Sequence, residues 1–550
     1  MAEAYPVCKP QGDAALILHL GQGIDPDLNA RLRALAQALR QGPLPGQVEV
    51  LAAYACLMVQ FDPLTTDHAE VEALLRERLA ALPATAAGPG REVTVPVVYG
   101  GEHGPDLAFV AERANMTPAE VIARHTGRGH LCHLVGFTPG FPFLGGLDPA
   151  LACPRLDTPR SDLMPGATGI GGDQTGLYPL GGPGGWRILG RTPLMVYDPD
   201  RDPVTLIQAG DLVRFFAVDT TDFAAPPTAD LVWSEAGRPA LQVLLPGGLT
   251  TIQDQGRRGR LEIGVPISGA LDQAGLAMAN ALVGNPPDAA ALELTLLGPR
   301  LKVLAPVWVA VAGADLGFRV DGRPAPAFTA LALAPGQVID FSGPQTGARA
   351  VLAMAGGLAN RPRLGSRSTY ALGRLGRPLM RGDVLCTLPG PAPATTVAAA
   401  LPEALRPRPA EILTLRAVPG PNLEYFSQAG LETFFGSTYQ VSQRADRRGV
   451  RLTGPAVELK PGMPSSILSE PNTPGIVQVP PDGAPIVLLK EQTVGGYAKA
   501  ATVIGPDLDR LARAMPGQAL RLVAIEPAQA VAAARAHARR QQERLSALRP

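Results

Sequence analysis

Three runs punctuated by glycine and proline decide the fold: GFTPGFPFLGG (136–146), PGATGIGGDQTGLYP (165–179) and GGWRILGRTP (184–193). They lie within Leu131 to Phe216, where short β-type runs are broken by Gly or Pro every few residues. That rhythm predicts a small barrel or sandwich, with glycines that permit positive φ and close approach of a ligand to backbone N–H groups. On the N-terminal side, EVTVPVVYG (92–100) reads as a strand opening this unit. Two short helices follow, the second starting with Thr117-Pro118-Ala119-Glu120, a capping box with Pro at the first helical position.

Further out, Leu16 to Leu20 reads as a strand, Leu28 to Arg40 as a helix, Val48 to Phe61 as an alternating stretch and His68 to Leu82 as a helix. This predicts an α+β domain over 1–90 and a barrel or sandwich over 91–220. Beyond the linker 219–240, a β-rich unit spans 241–388. A second linker, 389–409, leads to another β-rich unit over 410–525. The Ala/Arg-rich tail, 527–550, is helical but poor in large apolar residues, which predicts a peripheral or partner-contacting helix. The fold class is therefore mainly β with an α+β N-terminal domain. One echo stands out: Pro165-Gly166 leads to Gln174-Thr175-Gly176-Leu177-Tyr178, and Pro474-Gly475 leads, with extra residues, to Gln492-Thr493-Val494-Gly495-Gly496-Tyr497. Two barrels with one loop design are expected.

The chain has 550 residues with 62 Gly and 57 Pro, yet 46% of it is hydrophobic, so it reads as folded and turn-rich rather than disordered. Its length calls for several cores. Lys and Arg total 49, as do Asp and Glu, so no net field attracts nucleic acid or an anionic membrane. The five scattered cysteines form no CxxC pair, which points to a reducing compartment. Without a signal-like N-terminus or a long apolar run, a cytoplasmic location is expected.

The five lysines, Lys9, Lys302, Lys460, Lys490 and Lys499, exclude a P-loop, a Met-Lys-Met biotin site and a Ser-Ser-Lys amidase centre. No GxSxG elbow occurs. His125, His130, Cys132 and His133 cluster, but their spacing matches no zinc template, so no metal site is expected.

The three opening runs, with YGGEHGPDLAFVAERANMTPAEVIARHTG (99–127), closely resemble the B-type subunit of bacterial ATP-dependent 5-oxoprolinase, a family also described as kinase inhibitors and as the first of two allophanate hydrolase subunits. The runs PGGLTTIQDQGR (246–257), GVPISGALD (264–272), GSRSTY (365–370), Asp446-Arg447, QVPPDG (478–483) and QTVGGY (492–497) resemble the C-type subunit, of the carboxyltransferase-type family. The chain departs from that pattern at Pro471 and Ala498. Together the resemblances imply a B–C fusion with several cyclophilin-like β-barrels, two of them in the second half. They further imply opening of 5-oxo-L-proline to L-glutamate with ATP and Mg²⁺, in company with a separate A-type subunit. Two other classes remain open: a regulator that binds a sensor histidine kinase, and a carboxyltransferase module related to urea carboxylase whose biotin is carried on another chain. Homo-oligomerisation is left open too.

A lactam is a poor electrophile, and the chemistry implied needs groups for phosphate, carboxylate and Mg²⁺. Asp272, Glu470 and Asp482 are the catalytic candidates, as metal holders or general bases. For Asp272 a helix cap is the competing reading. Arg257 and Arg367 are candidate clamps for phosphate or carboxylate, with Ser268 beside them. Gln174, Thr175 and Tyr178, and their echo Gln492, Thr493 and Tyr497, are candidate uncharged ligand contacts or turn-stabilising groups.

Overall fold

The computed structural model describes residues 5–83, 90–220, 222–389, 399–464 and 466–548. Its N-terminal unit is an antiparallel sheet ordered Val7–Pro10, Ala15–His19, Cys56–Phe61, Gln47–Ala52. Helices α1 (Pro26–Gln41) and α2 (His68–Ala80) start at the side-chain caps Asp25 and Asp67. They bury Leu32, Leu35, Leu75 and Leu79 against Leu16, Leu18, Leu57 and Val59. The stretch 48–61, read as alternating, is a hairpin whose second strand is buried at every residue. The face opposite the helices carries Ile17, Cys56 and Met58, and it packs on the next barrel instead of meeting water.

That barrel closes with seven strands: Glu92–Tyr99, Gly129–Val135, Pro142–Gly145, Ala167–Gly171, Gln174–Tyr178, Arg187–Arg191 and Leu212–Ala217. Helices α3 (Leu107–Arg113) and α4 (Pro118–Thr126) fill the connection after its first strand, and α4 carries the complete capping box of Thr117 and Glu120. A second closed barrel is built from Ile412–Pro419, Tyr439–Val441, Gly449–Thr453, Ile476–Val479, Ile486–Leu488, Ala498–Val503 and Ala519–Ala524. Numbered along the chain, both barrels run 1-6-4-5-3-2-7, and in both the first and last strands pair in parallel.

The echo is half real. Gly166 and Gly475 open strand 4 of their barrels with φ +86° and +98°. Each donates to the end of strand 5, Tyr178 O and Leu488 O, and each carbonyl accepts from the strand 6 end, Thr192 N and Val503 N. A Cβ at either position would overlap the Thr192 or Val503 carbonyl oxygen. The Gln-Thr halves are not equivalent: Gln174 begins strand 5, whereas Gln492 and Thr493 lie in the connection after it.

The middle unit, expected as a third barrel over 241–388, does not close. It is two open sheets of six and five strands around Leu241, Leu292, Val311 and Leu352. Helix α5 (Gln273–Leu282) lies on the five-stranded sheet. Strand Arg238–Leu245 starts inside the expected linker, and Trp233 bridges to Asn360, so the segment preceding that strand is docked. In the second barrel, α6 (Gln428–Gly436) follows strand 1 and α7 (Gly505–Ala512) follows strand 6. The tail forms α8 (Pro527–Ser546), which is not free of its own chain. Ala530 packs on Val418 and Ile504, Leu545 packs against the α5 cluster, and Arg535 Nε donates to Pro63 O at 2.8 Å.

Candidate functional site

The N-terminal sheet and both barrels meet at one junction of buried polar groups. His19 and Cys56 are register partners on neighbouring strands of that sheet. Facing them is Glu470, on a two-residue strand paired with Val494–Gly495. His19 Nε2 donates to Glu470 Oε1 at 3.1 Å, and Lys499 Nζ donates to Glu470 Oε2 at 2.9 Å and to Pro471 O at 2.9 Å. Lys499 is fully buried inside strand Ala498–Val503.

Burial opposes a charge on Glu470, but the Lys499 ammonium and the His19 hydrogen bond outweigh it and hold the carboxyl down at about 2. Cys56 is the reverse case: burial first, then the Glu470 charge, push its thiol well above the ordinary range. The centre is therefore an ionised carboxylate clasped by an ammonium, next to a neutral thiol. His19, Cys56 and Glu470 bring one ligand atom each within 4.8 Å of one another. A protonated thiol and a carboxylate already bound to Lys499 are poor metal ligands. Two buried atoms here, His19 Nδ1 and Asn472 Nδ2, have no partner among the described residues.

Of the residues singled out from sequence, the junction gathers Glu470 and Thr493. Thr493 is buried in the same loop, and its Oγ1 accepts from Phe137 N at 3.0 Å, joining the last barrel to the GFTPGFPFLGG run. Tyr54, near Cys56 in the hairpin, donates to Gln174 Oε1 at 2.6 Å, which ties the sheet to the first barrel. Gln492 is half-buried and Tyr497 exposed in the same connection.

Others have structural posts. Thr175 Oγ1 donates to Gly169 O and accepts from His125 Nε2 at 2.8 Å; His125 Nδ1 then accepts from the Tyr99 hydroxyl at 2.7 Å. His130 Nε2 donates to His125 O, so these histidines are occupied within the barrel, and burial keeps His125 neutral. Tyr178 packs edge-on to Phe141 and Trp186. Asp482 is exposed, accepting from Ala484 N at 3.1 Å in a turn. Asp272 caps α5 through Gly275 N at 2.9 Å and binds Arg513 at 2.8 Å, so its helix-capping reading is the one the contacts fit.

Arg257 and Arg367 line one small recess. Arg257 is almost fully buried and donates through Nη2 to Ser368 O; its Nε and Nη1 have no acceptor among the described residues. Burial lowers its guanidinium to about 10. Arg367 is turned to Asn360 O, and Ser268 Oγ donates to Thr369 O at 2.9 Å. The GSRSTY loop encloses Asp254, which accepts from Ser366 Oγ, Ser368 Oγ and Arg367 N.

His19, Cys56, Asn472 and Lys499 were not among the sequence candidates. One signal was available: Lys499, one of five lysines, stands in AKAATV, an otherwise apolar or neutral strand, where a buried ammonium demands a carboxylate. His19 and Cys56 carry no such mark, because their role depends on a barrel more than 400 residues away in sequence.

Two barrels of one topology, joined through an α+β sheet and a two-sheet unit, define a carboxyltransferase-domain protein. The family model "Carboxyltransferase domain, subdomain C and D" matches residues 6–207, and "Carboxyltransferase domain, subdomain A and B" matches 263–524. Over 224 residues the chain is 38% identical to the B-type subunit of 5-oxoprolinase from Bacillus subtilis, covering 39% of this chain and 93% of that one. Over 292 residues it is 35% identical to the C-type subunit of 5-oxoprolinase from Escherichia coli K12, covering 52% of this chain and 90% of that one. The crystal structure of TTHA0988 superposes with a TM-score of 0.84 at 38% identity, covering 93% of this chain and 99% of the other. The chain belongs to the family of the B-type and C-type subunits of 5-oxoprolinase, and joins a B-like half to a C-like half.

Proposed function

We propose that the chain is the fused B and C component of an ATP-dependent 5-oxoprolinase, which opens 5-oxo-L-proline to L-glutamate together with a separate A-like subunit in the cytoplasm. The observation that carries this reading is coverage: nearly the whole length of both relatives is matched by successive parts of one chain. At the junction, Lys499 and His19 hold Glu470 between the last barrel and the N-terminal sheet, which joins the B-like and C-like parts through one buried charge. Glu470, held ionised by Lys499 and His19, supplies a fixed negative charge there rather than a proton acceptor. ATP activates the lactam by phosphorylating its oxygen; water adds to the ring carbon, the C–N bond breaks to leave an acyl phosphate with the nitrogen taking up a proton, and a second water releases phosphate to give glutamate. Asp272 and Glu470 are each engaged by a basic side chain, so Mg²⁺ is expected to arrive on the phosphates of ATP.

Mixing the purified chain with an A-like subunit, ATP, Mg²⁺ and 5-oxoproline tests the reading. Glutamate and ADP formed in equal amounts, and only with both proteins present, are expected. Absence of both products above either protein alone refutes it.

A further inference from the structure

A cavity of about 290 Å³ opens between α8, α7, the start of α5 and the segment around Arg408. Its lining contains six arginines, Arg408, Arg416, Arg510, Arg513, Arg540 and Arg544, together with His537, against only two carboxylates, Asp507 and Asp509. Those carboxylates are already committed. Asp507 accepts from both Arg416 Nε and Nη2 at 3.0 and 2.9 Å, and lies 3.5 Å from Arg510. Asp509 accepts from Gln273 N at 2.9 Å and faces His537 at 3.6 Å. Arg513 is drawn to Asp272, behind the cavity wall. Among the described residues, Arg408, Arg540 and Arg544 have no carboxylate within ion-pair distance.

The excess positive charge is set by the fold. Arg540 and Arg544 are four residues apart on α8, so both project from one face of the helix, with His537 and Gln541 beside them. Docking that face over arginines from α7 and the second barrel crowds like charges. Burial, then Arg513 and Arg540, lower the Arg544 guanidinium, and burial followed by Arg540 and Arg544 lowers His537. A surface that gathers guanidinium forks from three chain segments without matching carboxylates is complementary to an oligo-anion. Arg408 and Arg540 are exposed, whereas Arg513 and Arg544 are half-buried, so the cationic groups run from the mouth of the cavity inward and can meet more than one charge of a linked anion. An adjoining apolar recess bounded by Met278 and Phe328 shares Ala274, Pro407, Gln541 and Arg544 with the cavity.

We infer that this cavity is a binding site for a phosphate chain, with Arg408, Arg540 and Arg544 as its dedicated ligands. The phosphate class stands on the cavity alone. That the chain belongs to ATP rests on the oxoprolinase reading; free polyphosphate is the other source of the same chemistry.

Isothermal titration of the full chain with sodium tripolyphosphate, ATP, AMP and orthophosphate, in chloride buffer, reads the site directly. Tripolyphosphate is expected to bind at one site, with orthophosphate at least tenfold weaker. The double variant Arg540→Gln/Arg544→Gln, and Arg408→Gln on a separate segment, should each weaken tripolyphosphate tenfold or more. Arg539→Gln, an exposed charge on the same helix outside the lining, should not. Tighter ATP than tripolyphosphate binding, lost in the same variants, assigns the source to the nucleotide; equal binding assigns it to the phosphate chain. Unchanged affinity in both cavity variants, or tripolyphosphate no tighter than orthophosphate, overturns the site. With an A-like subunit present, cavity variants that keep the wild-type KM for ATP overturn the nucleotide assignment while leaving the oxoprolinase reading intact. Conversely, an inactive mixture whose B–C chain still loses tripolyphosphate on mutation rejects that reading and keeps the site.

Discussion

Replacing Lys499 by methionine removes the ammonium that clasps Glu470 while keeping most of the side chain's volume. In the wild type the Glu470 carboxyl is held at about 2, against an ordinary 4.5, even though burial alone would raise it. That difference corresponds to roughly 3 kcal/mol of stabilisation at neutral pH, at about 1.36 kcal/mol for each tenfold change in proton affinity. The folded value lies below the unfolded one, so this contribution is complete above about pH 4.5 and is lost as pH falls toward 2. Lys499→Met leaves a buried carboxylate with only His19, a situation that typically costs about 3–5 kcal/mol. Calorimetry at pH 7 should therefore show a lower transition for the variant, and the gap should narrow as pH is lowered through 4.5 and Glu470 takes up its proton. The double variant Lys499→Met/Glu470→Gln, with neither charge present, should recover much of the loss. A single variant within about 0.5 kcal/mol of wild type at pH 7, or a double variant no better than the single, refutes the account of a buried pair with a desolvated carboxylate.

The matching glycines of the two barrels should respond alike: Gly166→Ala and Gly475→Ala each force a Cβ onto a carbonyl oxygen at positive φ and are expected to cost about 2 kcal/mol or more, read as a lower melting transition; an unchanged transition in either would break the equivalence. Thr493→Val deprives Phe137 N of its acceptor across the two halves and should cost about 1–2 kcal/mol while speeding hydrogen exchange at that amide. Burial, then Arg33, lower the His133 imidazole from 6.5 to about 4, so the unfolded chain binds the extra proton first and stability should fall between pH 6.5 and 4. NMR of the ring should show His133 neutral at pH 5.5; a protonated ring there contradicts its burial.

Apolar spacing was enough to place α1 and α2, and the Thr117–Glu120 box to place α4, because both signals are carried by residues near in sequence. The repetition of Pro-Gly before strand 4 likewise exposed the kinship of the barrels. Closure was harder to read. Residues 238–388 have the same short, glycine-broken strands as a barrel, and whether they close depends on pairings between distant strands that no local pattern encodes. The junction shows the same limit: Glu470 and Thr493 lie in a recognisable loop, but His19 and Cys56 become polar partners only when an N-terminal sheet docks on the last barrel. Asp272 and Asp482 illustrate a second ambiguity, since acidic residues at helix starts and turns resemble catalytic ones in a sequence, and both accept backbone N–H bonds here.

The contact of α8 with Pro63 and Thr66 brings the last helix onto the first unit. During synthesis, then, the second apolar face of the N-terminal sheet is covered by the barrel that follows it directly, whereas His19 waits for Glu470, 451 residues further on, before its polar contact can form. Once made, the last barrel is tethered, so it meets the rest of the molecule at an effective concentration fixed by the chain, however dilute the protein becomes. Cutting the chain between Pro389 and Pro409 would turn that fixed encounter into an ordinary bimolecular equilibrium for the last barrel, and the Glu470–Lys499–His19 centre would become sensitive to dilution.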